Sequence, residues 1–352
     1  MPLEPDPRGK DYRASYGRFP VGVVFGIVPY NWPYNLAAHK IAPALAVGAT
    51  IVIKAAPQAA LCTLTLGRLL HEAKCPAGVV NVVHCPAQAA QTALQDPRVA
   101  MVSFTGSPEV GWKLKSLVPE KCVTLELGAN SAALVFGDAD LDWACRRIVA
   151  GAYGYAGQVC IAVQHALVEE SAYDAMRERL IEATRTCVTG DPRLRDTVCG
   201  PMIDERAARK VEEWVEEAVA QGVTVLAGGS RQGAILQPTL VEGRPAGARL
   251  SCDEVFGPVL TLERFASEEE ASAKVNGSTY GIHCGVFTKD AARAQRAFQT
   301  LEVGGVVIDD SPTVRFDNLP YGGVKRSGFG REGVRFAMEE MTELRSFVRR
   351  LP

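Results

Sequence analysis

The first third of the chain alternates two textures at a spacing that severely restricts the folds open to it. Nearly continuous apolar, β-branched runs stand at VGVVFGIV (21–28), ATIVIKA (49–55), GVVNVV (78–83), VAMVSFTG (99–106) and CVTLELG (122–128). Stretches of helical character separate them at 31–47, 60–74, 87–95 and 108–117. A strand apolar on both sides is buried on both faces, which is the situation of a parallel sheet covered by helices. Strand–helix–strand units of this kind connect right-handedly and stack into an α/β layer structure. Ligands of such sheets bind beyond the carboxyl ends of the strands, so the residues that close each apolar run are the first candidates for function.

The pattern changes after Asn130. Helices and strands become mixed, and RKVEEWVEEAVAQG (209–222) is the clearest helix. Val211, Trp214, Val215, Ala218 and Val219 form its apolar stripe, glutamates cover the other side, and Gly222 reads as its C-terminal stop. VTVLAGG (223–229) follows as a strand, and AARAQRAFQTLEVGG (291–305) is a second helix leading into the strand VVI. This is a second α/β domain, as expected for 352 residues, a length too great for one small core. LPYGGVKRSGFGREG (319–333) reads as an ordered loop, and ELRSFVRRLP at the chain end as a short strand.

A net charge of −2 with both signs interspersed excludes the basic footprint of a nucleic-acid binder. The longest apolar run, 41–53, is too short to span a bilayer, and the polar, proline-rich beginning is not a secretory signal. The ten cysteines include no pair at metal-binding or dithiol spacing, so they read as thiols of a cytoplasmic protein, and no metal site is expected.

Six short patterns carry chemistry, each with a plainer alternative. In VPYNWP (28–33), Asn31 is either a helix cap or an amide donor for an oxyanion. Lys54, at the end of the second run, is a solvated lysine or a nucleotide contact. FTGSPEVG (104–111) is an ordinary turn, or a helix start at Ser107–Pro108 that receives a diphosphate; it is not the Gly-x-Gly-x-x-Gly fingerprint. Glu126 in LELGAN is a paired structural carboxylate, or a base whose pKa burial raises toward the working pH. Cys160 in GYAGQVC is a small core residue or a nucleophile in need of activation. Glu254 and Phe256 in DEVFGPV are a loop leading into a strand, or a ribose-binding carboxylate beside an aromatic ring.

Taken in order with PYGGVKRSGFGREG, these segments closely resemble the aldehyde dehydrogenase superfamily from about Tyr12 to the C-terminus. The resemblance implies a five-stranded parallel, Rossmann-like NAD(P)-binding domain over 21–130, a catalytic α/β domain over 131–310, and a return loop and helix over 311–340. It also implies a small β flap for oligomerisation, built from 1–20 and 341–352. Cys160 then falls on the nucleophile, Glu126 on the base that activates water for thioester hydrolysis, and Asn31 on the oxyanion donor. Cofactor contacts fall on Val28, Pro29, Lys54, Pro57, Gly106, Ser107, Leu127, Glu254 and Phe256. The implied reaction oxidises a small aldehyde to its acid in a homodimer or homotetramer.

Some positions depart from the family pattern. Pro57 stands three residues after Lys54 where NAD-preferring relatives often carry a glutamate, which leaves both NAD and NADP open. HCPAQAA (84–90) lacks the usual glycines, and Ala129 replaces the glycine of LGG. Only eleven residues precede Tyr12, where relatives carry a sizeable segment. Two alternatives therefore stand beside the oxidation: a weakly active or inactive binding or assembly protein, and transfer of the acyl group to coenzyme A, which Glu126 disfavours. The closing segments suggest lactaldehyde, semialdehydes or phosphorylated and phosphonated aldehydes as substrates. Arg315 reads as a surface arginine, with attraction of an anionic substrate tail as the alternative.

Overall fold

The computed structural model describes Gly9 and residues 11–351; residues 1–8, 10 and 352, including much of the expected N-terminal arm, lie outside the described residues. The chain enters through β1 (Tyr12–Pro20) and then builds β2 (Val23–Ile27), α1 (Asn35–Val47), β3 (Thr50–Lys54), α2 (Ala60–Glu72), β4 (Val80–Val83), α3 (Ala87–Gln95), β5 (Val99–Thr105), α4 (Pro108–Leu117) and β6 (Cys122–Glu126). The second half runs β7 (Ala132–Val135), α5 (Leu141–Tyr153), β8 (His165–Glu169), α6 (Tyr173–Arg185), α7 (Glu205–Ala220), β9 (Thr224–Ala227), β10 (Arg231–Gln232), β11 (Ile235–Leu236), β12 (Thr239–Glu242), α8 (Arg249–Cys252) and β13 (Val259–Phe265). It ends with α9 (Glu268–Asn276), β14 (His283–Phe287), α10 (Ala291–Thr300), β15 (Gly305–Ile308), β16 (Gly328–Phe329), α11 (Val334–Glu340) and β17 (Thr342–Arg350).

The first sheet has the order β16-β6-β5-β2-β3-β4. The five strands from β6 to β4 are parallel, as their burial on both faces demands. The sixth, β16, comes from within the glycine-rich segment read as a loop, and it pairs antiparallel with β6, Gly328 opposite Glu126. From β2 the chain steps to β3 and β4 on one side, then crosses back to β5 and β6 on the other. The order thus reverses between β2 and β5, and the crevice outside their carboxyl ends is the natural ligand position. Ser107 caps α4 by accepting a hydrogen bond from Val110 N, with Pro108 in the first turn.

The second sheet has the order β15-β14-β7-β8-β13-β12-β9, parallel except for the edge strand β9. Its core includes Ile148, Val168, Met176, Leu240 and Leu260, all fully buried. In α7 the buried stripe is Ala208, Val211, Trp214, Val215 and Ala218. Val219 is 44% exposed, so the expected stripe is corrected at its last member, and Gly222 sits one residue past the cap with φ +96°. β1 and β17 form a separate antiparallel ribbon, Tyr12 opposite Arg350 and Pro20 opposite Thr342. No helix is long and apolar enough to cross a membrane among the described residues.

Candidate active site

The segments after β2 and at the end of β6, carrying Asn31 and Glu126, converge on the loop between α5 and β8. Here Tyr155, Ala156 and Gly157 have φ of 58°, 54° and 66°, three left-handed residues in succession. Such a conformation costs roughly 1–2 kcal/mol for each residue with a Cβ, and it persists only where the surroundings impose it. At Gly157 a Cβ would lie 2.2 Å from the Gly257 carbonyl oxygen, so the loop is pressed against the segment carrying Glu254. Trp32 stacks on Tyr155 with ring centroids 5.0 Å apart.

Cys160 follows this turn, with its Sγ 3.2 Å from the Tyr321 hydroxyl. Burial pushes its thiol up to about 12; the Tyr321 hydrogen bond acts in the opposite sense, and Glu254 and Glu126 add to the rise. The pattern fits a nucleophile that stays protonated until the site is loaded. Sequence reasoning missed Tyr321, whose only signal was an aromatic residue before a glycine pair.

Glu126, at the end of β6, is 3% exposed, and neither carboxyl oxygen has a hydrogen-bond partner. Burial raises its pKa well above the ordinary carboxylate value, and the charge of Glu332 adds to the effect against Lys40, Arg315 and Arg331. A buried, unpartnered carboxyl destabilises the fold, so its presence points to chemistry rather than packing.

Asn31 is not a helix cap. α1 begins four residues later, preceded by Tyr34 without a side-chain cap bond. Its Nδ2 donates to the Gln158 carbonyl at 3.0 Å, which ties the end of β2 to the nucleophile loop and leaves the second amide hydrogen available. Gln158 is held in turn by Ile203 N, which donates to Oε1 at 2.9 Å. Tyr30, Tyr155, Gln158, Met202 and Ile203 line a cleft of about 530 Å³ beside it.

The remaining candidates surround the crevice in a way that fits a dinucleotide. Glu254 Oε1 accepts from Ala129 N at 3.1 Å, and burial raises its pKa to about 7. Its Oε2 lies where a Cβ on Gly128 would sit, at 2.0 Å, so only glycine leaves this carboxylate in place. Phe256, at φ +52°, meets Tyr30 edge-on with centroids 6.2 Å apart. Lys54 is 8% exposed, and its ammonium has no side-chain partner among the described residues. Gly106 and Ser107 stand at the N-terminus of α4, where free N–H groups favour an anion. Pro57 is exposed and opens a short 3-10 turn. Pro29 is half-buried at the end of β2. The side chains of Val28 and Leu127 belong to the core; their N–H groups bond to the Lys54 and Ser327 carbonyls, leaving backbone carbonyls as their means of reaching a ligand.

A second layer backs Glu126 and Cys160. Lys40 is fully buried in α1, with Nζ 2.9 Å from Ser103 Oγ and 3.0 Å from Glu332 Oε1. Burial pushes the Glu332 carboxyl up, but Lys40 and Arg315 outweigh it and bring it down to about 2. Arg315 is no surface arginine: its side chain is 16% exposed, and its guanidinium lies 3.7 Å over the Tyr321 ring. Among the described residues no group of three or more His, Cys, Asp and Glu side chains is arranged to hold a metal.

Comparisons with known proteins concern the chain as a whole. The model of the aldehyde dehydrogenase family matches residues 3–347. The chain is 41% identical to 3-sulfolactaldehyde dehydrogenase of Priestia aryabhattai over 99% of its own length and 73% of that protein's. It is 37% identical to a lactaldehyde dehydrogenase of Methanococcus aeolicus, over 94% of its length and 72% of the relative's. It superposes on aldehyde dehydrogenase 21 of Physcomitrella patens, solved with the product succinate, at a TM-score of 0.97 and 40% identity, covering 99% and 73% of the two chains. A glyceraldehyde-3-phosphate dehydrogenase of Methanocaldococcus jannaschii, solved with NADP, gives 0.93 and 38%, covering 97% and 75%.

Proposed function

The chain belongs to the aldehyde dehydrogenase family, and from that premise we propose that Cys160, Asn31 and Glu126 carry the chemistry by which it oxidises an aldehyde to the carboxylic acid with NAD(P). The thiolate of Cys160 attacks the aldehyde carbon, and the free amide hydrogen of Asn31, with the Cys160 N–H, stabilises the oxyanion. When bound, the nicotinamide supplies the hydride acceptor. Glu126, once ionised, takes a proton from the water that hydrolyses the thioester on Cys160. Glu254 holds the nicotinamide ribose with Phe256 beside the ring, Lys54 holds the adenosine ribose, and Gly106 and Ser107 hold the diphosphate. Pro57 supplies no carboxylate against a 2′-phosphate, which keeps NADP alongside NAD. The relatives named above favour neither a non-catalytic role nor transfer to coenzyme A.

The single observation that carries this assignment is the Cys160–Tyr321 contact beside a buried Glu126 without a partner. Reduced-nicotinamide absorbance, followed with each cofactor and a set of small aldehydes, tests it. Turnover by Cys160→Ala equal to the wild type refutes the assignment of the nucleophile.

We further read the substrate as a small aldehyde bearing an anionic group. Arg315 supports this: its Nε is buried without a hydrogen-bond partner, and its guanidinium is one phenol ring away from the thiol. The β1–β17 ribbon leaves Tyr16, Leu344, Phe347 and Val348 each at least 58% exposed, which supports an oligomer formed through the ribbon. Light scattering after size exclusion gives its order, dimer or tetramer. Ten free thiols support a reducing, cytoplasmic compartment.

A further inference from the structure

We propose that His39 is a positioning residue for substrate selection: its Nδ1 accepts a hydrogen bond from Arg315 and holds the guanidinium on the face of Tyr321, where the anionic group of the substrate meets it. The inference rests on the reading of Arg315 given above and deepens it.

Arginine has five N–H donors and no acceptor. At 2.6 Å from Arg315 Nη2, His39 Nδ1 is therefore the acceptor, and the ring carries its hydrogen on Nε2. That N–H faces Asp317 Oδ1 at 3.4 Å, which favours the same tautomer. His39 Nδ1 also lies 3.6 Å from Glu332 Oε2, so Arg315, Asp317 and Glu332 are the charged groups around the ring. The bond to His39 is the only hydrogen bond that Arg315 makes among the described residues. Its approaches to Glu332 and Asp317 are longer, at 3.5 and 3.8 Å. Glu332 attracts it by charge but makes no hydrogen bond to it, since Oε1 is bonded to Lys40 and Oε2 accepts none.

The consequence is geometric. An arginine side chain has many rotamers, and ordering it before the substrate arrives lowers the cost of binding. Both side chains are largely covered, 11% and 16% exposed, so the pair is held within the fold rather than on its surface. His39 does not touch the reacting atoms; it acts through Arg315.

The test compares succinate semialdehyde, which carries a carboxylate, with butanal, which does not. The readout is the ratio of their kcat/KM values in His39→Leu, His39→Asn and Arg315→Gln. Asparagine places an acceptor close to the position of Nδ1; leucine does not. In His39→Leu the preference for the anionic aldehyde falls about tenfold or more, mainly through its KM, and His39→Asn restores most of it. If leucine lowers both substrates equally, or asparagine behaves as leucine does, His39 is merely structural and the proposal fails. A silent His39→Leu beside an effective Arg315→Gln overturns the positioning role alone. A ratio unchanged in Arg315→Gln overturns the anion reading and this inference with it. Should His39→Leu fail to fold, as judged by its thermal transition, His39→Gln displaces the acceptor in its place.

Discussion

Replacing Tyr321 with phenylalanine removes one oxygen from the site and leaves the ring that carries Arg315. Tyr321 is 4% exposed, and its hydroxyl stands 3.2 Å from Cys160 Sγ. Only the thiolate fixes the direction of that bond, with the tyrosine donating. A hydrogen bond to a charged group contributes about 1.5–3 kcal/mol, which converts to roughly 10–150-fold in the thiolate population. The Cys160 pKa, already pushed up to about 12 by burial, then rises further as the tyrosine donor is lost. Thiolate is the reactive form and grows with pH, so the variant alkylates more slowly at every pH below that value, by about the same factor. Iodoacetamide labelling followed by mass spectrometry of the Cys160 peptide separates this thiol from the other nine. The kcat/KM for aldehyde oxidation falls in parallel. Equal alkylation rates in Tyr321→Phe and the wild type, across the pH range, would refute the claim that this contact sets the thiol's ionisation.

Other consequences follow from the same geometry. Glu126→Gln keeps a first-turnover burst of reduced nicotinamide but slows steady turnover by about 10²–10⁴-fold, the usual worth of a general base; rapid-mixing kinetics separate the two phases. Gly128→Ala drives a methyl group into Glu254, which a Cβ would approach to 2.0 Å, so cofactor affinity measured by calorimetry drops about tenfold or more while the thermal transition survives. Lys40→Met strands the buried Glu332 carboxylate without its 3.0 Å partner and destabilises the protein by about 3–5 kcal/mol, read as a lower thermal midpoint than the wild type.

The strands of the first sheet, and the polar residues that close them, were legible because both follow from short-range pattern. A strand buried on both faces must be apolar throughout, so Glu126 and Lys54 stand out by position alone. Lys40 was hidden by the opposite circumstance. It sits inside a helical stretch where a lysine reads as solvated, and its partner Glu332 is 292 residues away. Arg315 was misread for the same reason: the ring and carboxylate that bury it are not its neighbours in sequence. β16 has two residues, too few for any alternation to show, and the contacts that flank its pairing with β6, Trp112 Nε1 to the Arg326 carbonyl and Lys115 over the Phe329 ring, come from a distant helix. The β1–β17 pairing joins the two ends of the described chain, a relation no local period encodes.

The left-handed turn at 155–157 has a consequence for how this site changes over time. Gly157 rests on the backbone of Gly257, and Glu254 lies three residues before that contact. The spacing between sulfur and cofactor anchor is therefore gauged by main chain against main chain, like the jaws of a caliper. His39 and Arg315 stand outside those jaws. New aldehydes can be accommodated by exchanging these two residues while the distance over which hydride must pass stays the same.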